Sequence, residues 1–309
     1  MTWIRRTASL LMGLTLIAGC SRKTSQSERA ANDESAAKPT EKAGRVVLQN
    51  KGSDTLVNVA QAWAEAYKTV NPAVAVAVTG GGSGTGISAL INGTVDLANS
   101  SRSITEKELL AAKQRGVTPK EHTVGYDALA VFIHKNNPIA AFSLERLADI
   151  YGEHGKSVKW SQLGVKVPGC DSDEIIRISR QNNSGTYVYF KEAVLGEGKE
   201  YKFGSRDMHG SKDVVDLVAK TPCAIGYSGL AYATPAVNMP CIQNAGRCVV
   251  PSLETAVDRS YPIARPLFML TSGEPQGHVK EYLDWILSDK GQCIIVDKGY
   301  ASARPIKCK

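Results

Sequence analysis

Short β-branched segments alternate with amphipathic segments along the first half of this chain, and this alternation constrains its fold most strongly. Residues 73–78 alternate Ala and Val, as in a buried strand, whereas residues 56–70 repeat apolar side chains at helical spacing. Between about residues 46 and 134 the predicted order is β-α-β-α-β-α-β, which indicates an α/β fold with a largely parallel sheet. In such folds ligands bind where strands run into helices.

The second half follows the same scheme less regularly, and a last helix is predicted within residues 277–300. In the first half, Thr105 and Glu108 have the spacing of a capping box at the start of the third helix.

A glycine-rich stretch, TGGGSGTGIS at residues 79–88, lies between the second strand and the second helix. It is not a P-loop, because Ile87 stands where that motif requires Lys, and no register of its glycines fits the dinucleotide fingerprint. It is not a nucleophile elbow either, because Thr85 stands two residues after Ser83 where Gly is required. We therefore assign no catalytic residues.

Three segments with hydroxyl side chains each lie between a predicted strand and a predicted helix, at residues 53–55, 83–85 and 184–186. Hydroxyls and unpaired amide N–H groups at helix starts favour anions, and Arg180 lies four residues before the last segment, where it can add a bidentate guanidinium. If the three helix starts converge, they predict a site that holds an oxyanion largely with neutral dipoles. The alternative for any one segment is an ordinary N-cap.

The amino terminus has the order of an export signal. Arg5 and Arg6 precede an apolar run at residues 8–19, and LIAGC then resembles a bacterial lipobox that ends at Cys20. We predict a lipoprotein signal peptide at residues 1–19, with lipidated Cys20 and a flexible tether at residues 20–44. An ordinary secretory signal or a short membrane anchor is the alternative.

The net charge of the chain limits the classes of ligand that it is expected to bind. The net charge is +7, without a block of consecutive Lys and Arg in the folded part, so nucleic-acid binding is not indicated, whereas a small anion is compatible.

An even number of cysteines after Cys20 predicts disulfides in an exported chain. The C-x-x-C spacing typical of zinc sites is absent, and we predict no metal. The loop between Cys241 and Cys248 suggests one pair and elimination the others: Cys241–Cys248, Cys293–Cys308 and Cys170–Cys223.

Six segments occur in the order found in periplasmic phosphate-binding proteins of high-affinity ABC transporters, which this chain therefore resembles: GSDTL, GGGSGTG, VDLANSSRSI, RQNNSGT, AIGYSGLAYA and YPIARPLFML. The resemblance implies a two-lobed type II binding-protein fold with mixed, mostly parallel sheets and a ligand cleft between lobes joined by two crossing strands. Residues 45–126 and 264–309 would form lobe 1, and residues 127–263 lobe 2.

The resemblance also implies a ligand-binding set: Ser53, Asp54, Thr55, Ser83, Ser101, Arg102, Arg180, Ser184, Gly185 and Thr186. Many family members carry a proton-accepting Asp in the loop at residues 99–102, where this chain has no carboxylate. Our hypothesis is that Asp54 takes over that role, and the alternative is that Asp54 N-caps the helix starting near Thr55. Arg102 either adds positive charge or pairs with Glu106.

The resemblance implies a receptor that would deliver inorganic phosphate to an ABC permease, without cofactor or enzymatic activity. Together with the export signal, we expect a monomeric protein in the periplasm or at the cell surface, anchored by lipid. A receptor for sulfate or molybdate is one alternative, and a phosphate-sensing surface lipoprotein without a transport role is another. An exported phosphate-ester hydrolase would need a nucleophile with a nearby base, or a metal cluster, and the sequence indicates neither.

Overall fold

The computed structural model describes residues 45–308. The predicted signal peptide at residues 1–19, Cys20 and the tether at residues 20–44 lie outside the described residues.

The alternation predicted for the first half is confirmed. Asn71 ends the first helix, and Thr105 and Glu108 form the predicted capping box of the third. The elements are β1 (Val46–Gly52), α1 (Val57–Val70), β2 (Val74–Thr79), α2 (Ser83–Ile91), β3 (Leu97–Ser100), α3 (Glu106–Gln114) and β4 (Lys120–His134).

In the second half the predicted last helix is two helices, because Leu287 ends the first and the Ser288 hydroxyl caps the second. The elements are β5 (Ala141–Ser143), α4 (Leu144–Tyr151), β6 (Ile176–Arg180), α5 (Gly185–Phe190), β7 (Arg206–Met208), α6 (Ser211–Lys220), β8 (Ala224–Gly229), β9 (Val237–Asn238), β10 (Cys241–Asn244), β11 (Arg247–Val249), α7 (Leu253–Val257), β12 (Ala264–Thr271), α8 (Gly277–Ile286), α9 (Asp289–Asp297) and β13 (Ala301–Ser302).

One long mixed sheet runs through the molecule in the order β2-β1-β3-β12-β4-β8-β6-β7, and β5, β10 and β11 form a small second sheet. Strands at both ends of the long sheet pair in parallel, as predicted. The central strands β4 and β12 are antiparallel to their neighbours. The first part of β4 pairs with β12 and its last part with β8, so β4 carries the chain from one lobe to the other.

Each lobe has its own apolar core. One core surrounds Trp63 and Tyr282 on the side of β1, and the other surrounds Trp160 and Phe190 on the side of β6. The loops that follow β1, β2 and β6, which carry the three predicted anion-binding segments, contact one another. This α/β fold with two lobes therefore brings the predicted anion-binding segments to one place.

The three predicted disulfides are confirmed, with Cα–Cα distances of 4.9 to 5.5 Å. They occupy all six cysteines of the described part. Within residues 45–308, no helix combines the length and apolar character needed to cross a bilayer.

Candidate anion-binding site

Hydroxyl groups from both lobes meet at one buried point, which we call the hydroxyl cluster. Ser53 donates to the Ser101 hydroxyl over 3.0 Å, and the Ser83 hydroxyl lies 3.5 Å from that of Ser101. Thr55 of lobe 1 and Thr186 of lobe 2 place their hydroxyls 3.1 Å apart. These five residues are at most 2% exposed. The structure therefore brings together the three segments whose convergence the sequence predicted.

Close approach explains the glycine at position 185. A Cβ there would collide with the hydroxyls of Ser83 and Ser101, so only glycine lets α5 begin against the cluster. The Ser184 hydroxyl accepts from the Thr186 N–H over 3.2 Å and is the N-cap of α5. Ser184 therefore serves as the N-cap of α5.

Asp54 lies at the edge of the cluster and joins the two lobes. Its Oδ1 accepts from the Gly81 N–H over 2.9 Å, and its Oδ2 accepts from Arg180 Nη2 over 3.1 Å. The proposal that Asp54 caps the first helix is wrong. The chain makes a turn after β1, so α1 begins only at Val57, with Leu56 as its N-cap and without a side-chain capping bond.

Arg180 is buried and held from several sides. Its Nη1 donates to Ser211 Oγ, its Nη2 to Asp54 and the His209 carbonyl, and its Nε to the Met208 carbonyl. These bonds engage four of its five N–H groups. Burial lowers the pKa of the Arg180 guanidinium, and the Asp54 carboxylate opposes that fall. The predicted bidentate contact with an anion would therefore require Arg180 to exchange one of these bonds.

Arg102 pairs with Glu108, so the alternative in which it pairs with Glu106 is wrong. The two Nη atoms of Arg102 donate to the two carboxylate oxygens of Glu108 over 2.7 and 2.8 Å. The capping box turns Glu108 back toward Thr105 and hence toward Arg102, whereas Glu106 is exposed. Burial raises the pKa of Glu108, but hydrogen bonds from Arg102 and Thr105 outweigh it and leave the pKa below its ordinary value.

Sequence reasoning missed a buried ion pair directly beneath the cluster. Arg265 on β12 and Asp127 on β4 are register partners, and their side chains are fully buried. Arg265 Nε and Nη2 lie 3.1 and 2.8 Å from Asp127 Oδ2. Burial raises the pKa of the Asp127 carboxyl, and the Arg265 guanidinium opposes that rise. The signal was present in the sequence, because each residue is the one charge within an otherwise apolar run of a predicted strand.

Arg265 also holds the hydroxyl cluster. Its Nη2 donates to Thr55 Oγ1 over 3.3 Å and to Thr186 Oγ1 over 3.1 Å, and its Nη1 donates to the Ser101 carbonyl over 3.2 Å. One guanidinium thus contacts hydroxyls from both lobes.

Two tyrosines that the sequence analysis also missed fix the first loop. The Tyr232 hydroxyl donates to the Asp54 carbonyl over 2.7 Å, and the Tyr300 hydroxyl donates to the Thr55 carbonyl. Burial raises the pKa of Tyr232 to about 12, so this tyrosine stays a hydrogen-bond donor at neutral pH.

The charges around the cluster are balanced. Arg180, Arg265 and Arg102 each face a carboxylate, from Asp54, Asp127 and Glu108 respectively. An anion that enters would therefore be held mainly by hydroxyl and amide dipoles, which a buried site makes effective.

The fold and this site define a two-lobed solute-binding protein. A family model described as a PBP superfamily domain matches residues 26–290. The phosphate-binding protein PstS of Pseudomonas aeruginosa is 32% identical over 267 residues, covering 82% of this chain and 82% of that protein. PstS of Bacillus subtilis is 30% identical over 299 residues, covering 96% and 93%.

The comparison with solved structures agrees with these sequence relatives. A substrate-binding protein with bound phosphate from Clostridium perfringens, assigned to a phosphate ABC transporter, superposes with a TM-score of 0.74 and 30% identity, covering 84% of this chain and 100% of the other. This chain belongs to the PBP superfamily and, within it, to the family of the phosphate-binding proteins PstS.

The buried pair yields a stability prediction. Asp127→Asn leaves the Arg265 charge buried without its counter-charge, and should lower the free energy of unfolding by about 3–5 kcal/mol. Urea denaturation measures the loss. Asp216→Asn is the control, because it breaks an exposed pair with Lys212 and should cost less than about 1 kcal/mol. An Asp127→Asn protein as stable as the control would contradict the role given to this pair.

Proposed function

We propose that this protein binds inorganic phosphate between its lobes and delivers it to an ABC-type permease. The observation that carries the proposal is the hydroxyl cluster, in which both lobes contribute buried donors to one point. The names of the relatives in Pseudomonas aeruginosa and Bacillus subtilis and the bound phosphate of the Clostridium perfringens protein support the same ligand. The family consists of binding proteins, so the proposal includes no catalysis.

The chemistry of the site suits a partly protonated oxyanion. Deprotonated phosphate oxygens accept hydrogen bonds from hydroxyls and from N–H groups at helix starts. Near neutral pH phosphate keeps at least one proton, and Asp54 is the carboxylate at the cluster edge that could accept it.

We propose eight of the ten predicted residues as direct ligands and the other two as supports. Ser184 supports because its hydroxyl caps α5, and Arg102 because Glu108 takes up its guanidinium. The proposed ligands are Ser53, Asp54, Thr55, Ser83, Ser101, Arg180, Gly185 and Thr186.

We also propose the lobe boundaries given by the resemblance, with residues 45–126 and 264–309 in lobe 1 and residues 127–263 in lobe 2. The two cores support them, because they lie mostly on either side of this boundary, although Ala301, Tyr126 and Ala264 of lobe 1 pack with the core of lobe 2. The boundary falls at the register pair of Asp127 and Arg265 on β4 and β12. We further propose that the protein acts as a monomer in the periplasm or at the cell surface.

The anchor is part of the proposal and has its own test. The lipobox-like segment ending at Cys20 supports lipid attachment there. Cys20→Ser should abolish incorporation of a labelled fatty acid by cells, because the thiol is the attachment point. Label that persists in Cys20→Ser would place the lipid elsewhere.

Calorimetric titration of the purified protein tests the ligand. Phosphate should bind with saturable heat at one site per chain, and sulfate should bind at least tenfold more weakly, because it brings no proton for Asp54 to accept. Equal or tighter sulfate binding would favour the alternative of another oxyanion, and no heat with phosphate would overturn the proposal.

The role of Asp54 makes a sharper prediction. Asp54→Asn should weaken phosphate binding by roughly tenfold or more and strengthen sulfate binding, because an acceptor of the phosphate proton becomes a neutral amide. Calorimetry with both anions measures the two changes. The matched control is Asp284→Asn, which removes the same charge from an exposed pair on α8. If Asp54→Asn binds both anions as the control does, the proton-acceptor role fails.

A further inference from the structure

Asn183 of lobe 2 forms hydrogen bonds with the start of helix α2 in lobe 1. The Asn183 Nδ2 atom donates to the Gly81 carbonyl over 3.0 Å and to Thr85 Oγ1 over 3.2 Å. In return, the Gly84 N–H donates to the Asn183 carbonyl over 3.0 Å. We call these three hydrogen bonds the interlobe latch.

The latch satisfies a helix start that has no side-chain cap of its own. The N-cap of α2 is Gly82, which has φ of 91° and no side chain to accept a hydrogen bond. The first N–H groups of a helix lack intrahelical partners, and Gly84 N–H is one of them. The Asn183 carbonyl of the other lobe supplies the acceptor, so α2 is capped only while the lobes touch.

Each side of the latch is held in place by its own lobe. In lobe 1, Gly82 N–H donates to the Gly52 carbonyl over 3.0 Å. In lobe 2, Ser184 N–H donates to the Gln181 carbonyl over 2.9 Å, which closes the turn around Asn183. Loss of the Asn183 side chain therefore leaves both loops with their own supports.

Burial of the hydroxyl cluster makes separation of the lobes a condition for ligand exchange. Its five residues are at most 2% exposed, so an anion cannot reach or leave them while the lobes are in contact. The latch bonds join groups of the two lobes, so they must break each time the lobes part.

We propose that Asn183 is a positioning residue that holds the lobes together and sets the rate at which the anion leaves. This inference rests on the proposed function for its ligand, but not on the choice of phosphate over another oxyanion. A hydrogen bond that forms only when the lobes are closed slows their opening and therefore the dissociation of the anion. It does not change the rate at which the anion associates with the open protein.

Close packing across the latch provides a second, independent variant. A Cβ added at Gly84 would lie 3.3 Å from the Asn183 carbonyl oxygen, which is tight for such a contact. Alanine favours helix more than glycine does, so Gly84→Ala should stabilise α2 itself while pushing the lobes apart. If Gly84→Ala stabilises lobe 1 and still raises the dissociation rate of the ligand, the effect on release comes from the latch and not from a loss of stability.

Stopped-flow fluorescence of the purified protein with phosphate tests the inference. Asn183→Ala should raise the dissociation rate about tenfold, with less than a twofold change in the association rate and an unchanged melting temperature without phosphate. Gly84→Ala should raise the dissociation rate in the same direction. The control is Asn182→Ala, an exposed neighbour in the same loop, which should match the parent.

An unchanged dissociation rate in Asn183→Ala overturns the inference, and so does a rate that rises equally in Asn182→Ala. If Asn183→Ala lowers the melting temperature instead, Gly84→Ala decides, and its unchanged dissociation rate overturns the latch. If calorimetry shows that sulfate rather than phosphate is bound, the same rates are measured with sulfate. The proposed ligand and the latch therefore fail separately.

Discussion

The buried pair of Arg265 and Asp127 is the interaction on which the rest of the site depends. The two residues face each other on β12 and β4, the strands at the middle of the long sheet, and both side chains are fully buried. The register of the β4–β12 ladder places the two side chains opposite each other, and a charge buried this deeply requires its partner. The remaining donors of Arg265 then hold Thr55 from one lobe and Thr186 from the other.

Charge pairing around the cluster determines how the site can discriminate between ligands. Because each nearby guanidinium already faces a carboxylate, net positive charge does not select the anion. With the ligand set proposed above, selection would fall to the number and direction of the neutral donors and to Asp54, the one carboxylate in that set. A carboxylate next to an oxyanion repels it unless the anion brings a proton to share, which favours phosphate over sulfate.

Local features of the site could be predicted from the sequence. Ser83, Thr186 and their glycine neighbours lie within a few residues of a helix start, where the chemistry follows from the helix itself. The alternation of strands and helices fixed which edge of the sheet these segments share. The capping box of α3 was equally local, and it was predicted correctly.

Features that depend on distant residues could not be predicted in the same way. Arg265 and Asp127 are 138 positions apart, and the sequence of either strand alone does not indicate which residue carries the opposite charge beside it. Of the two alternatives for Arg102, added positive charge or a pair with Glu106, neither names Glu108, because helix spacing alone does not show that the capping box turns Glu108 toward Arg102. Asp54 was offered as a cap because the turn before α1 is longer than its sequence indicates.

Locating the bound anion tests the account most directly. Arsenate has the shape and protonation of phosphate, and its arsenic atom can be located by anomalous scattering in a crystal of the complex. The account predicts one strong arsenic peak among the hydroxyls of Ser53, Thr55, Ser83, Ser101 and Thr186, with an arsenate oxygen within hydrogen-bond distance of Asp54. A peak elsewhere, or arsenate bound without contact to residues of both lobes, would contradict it.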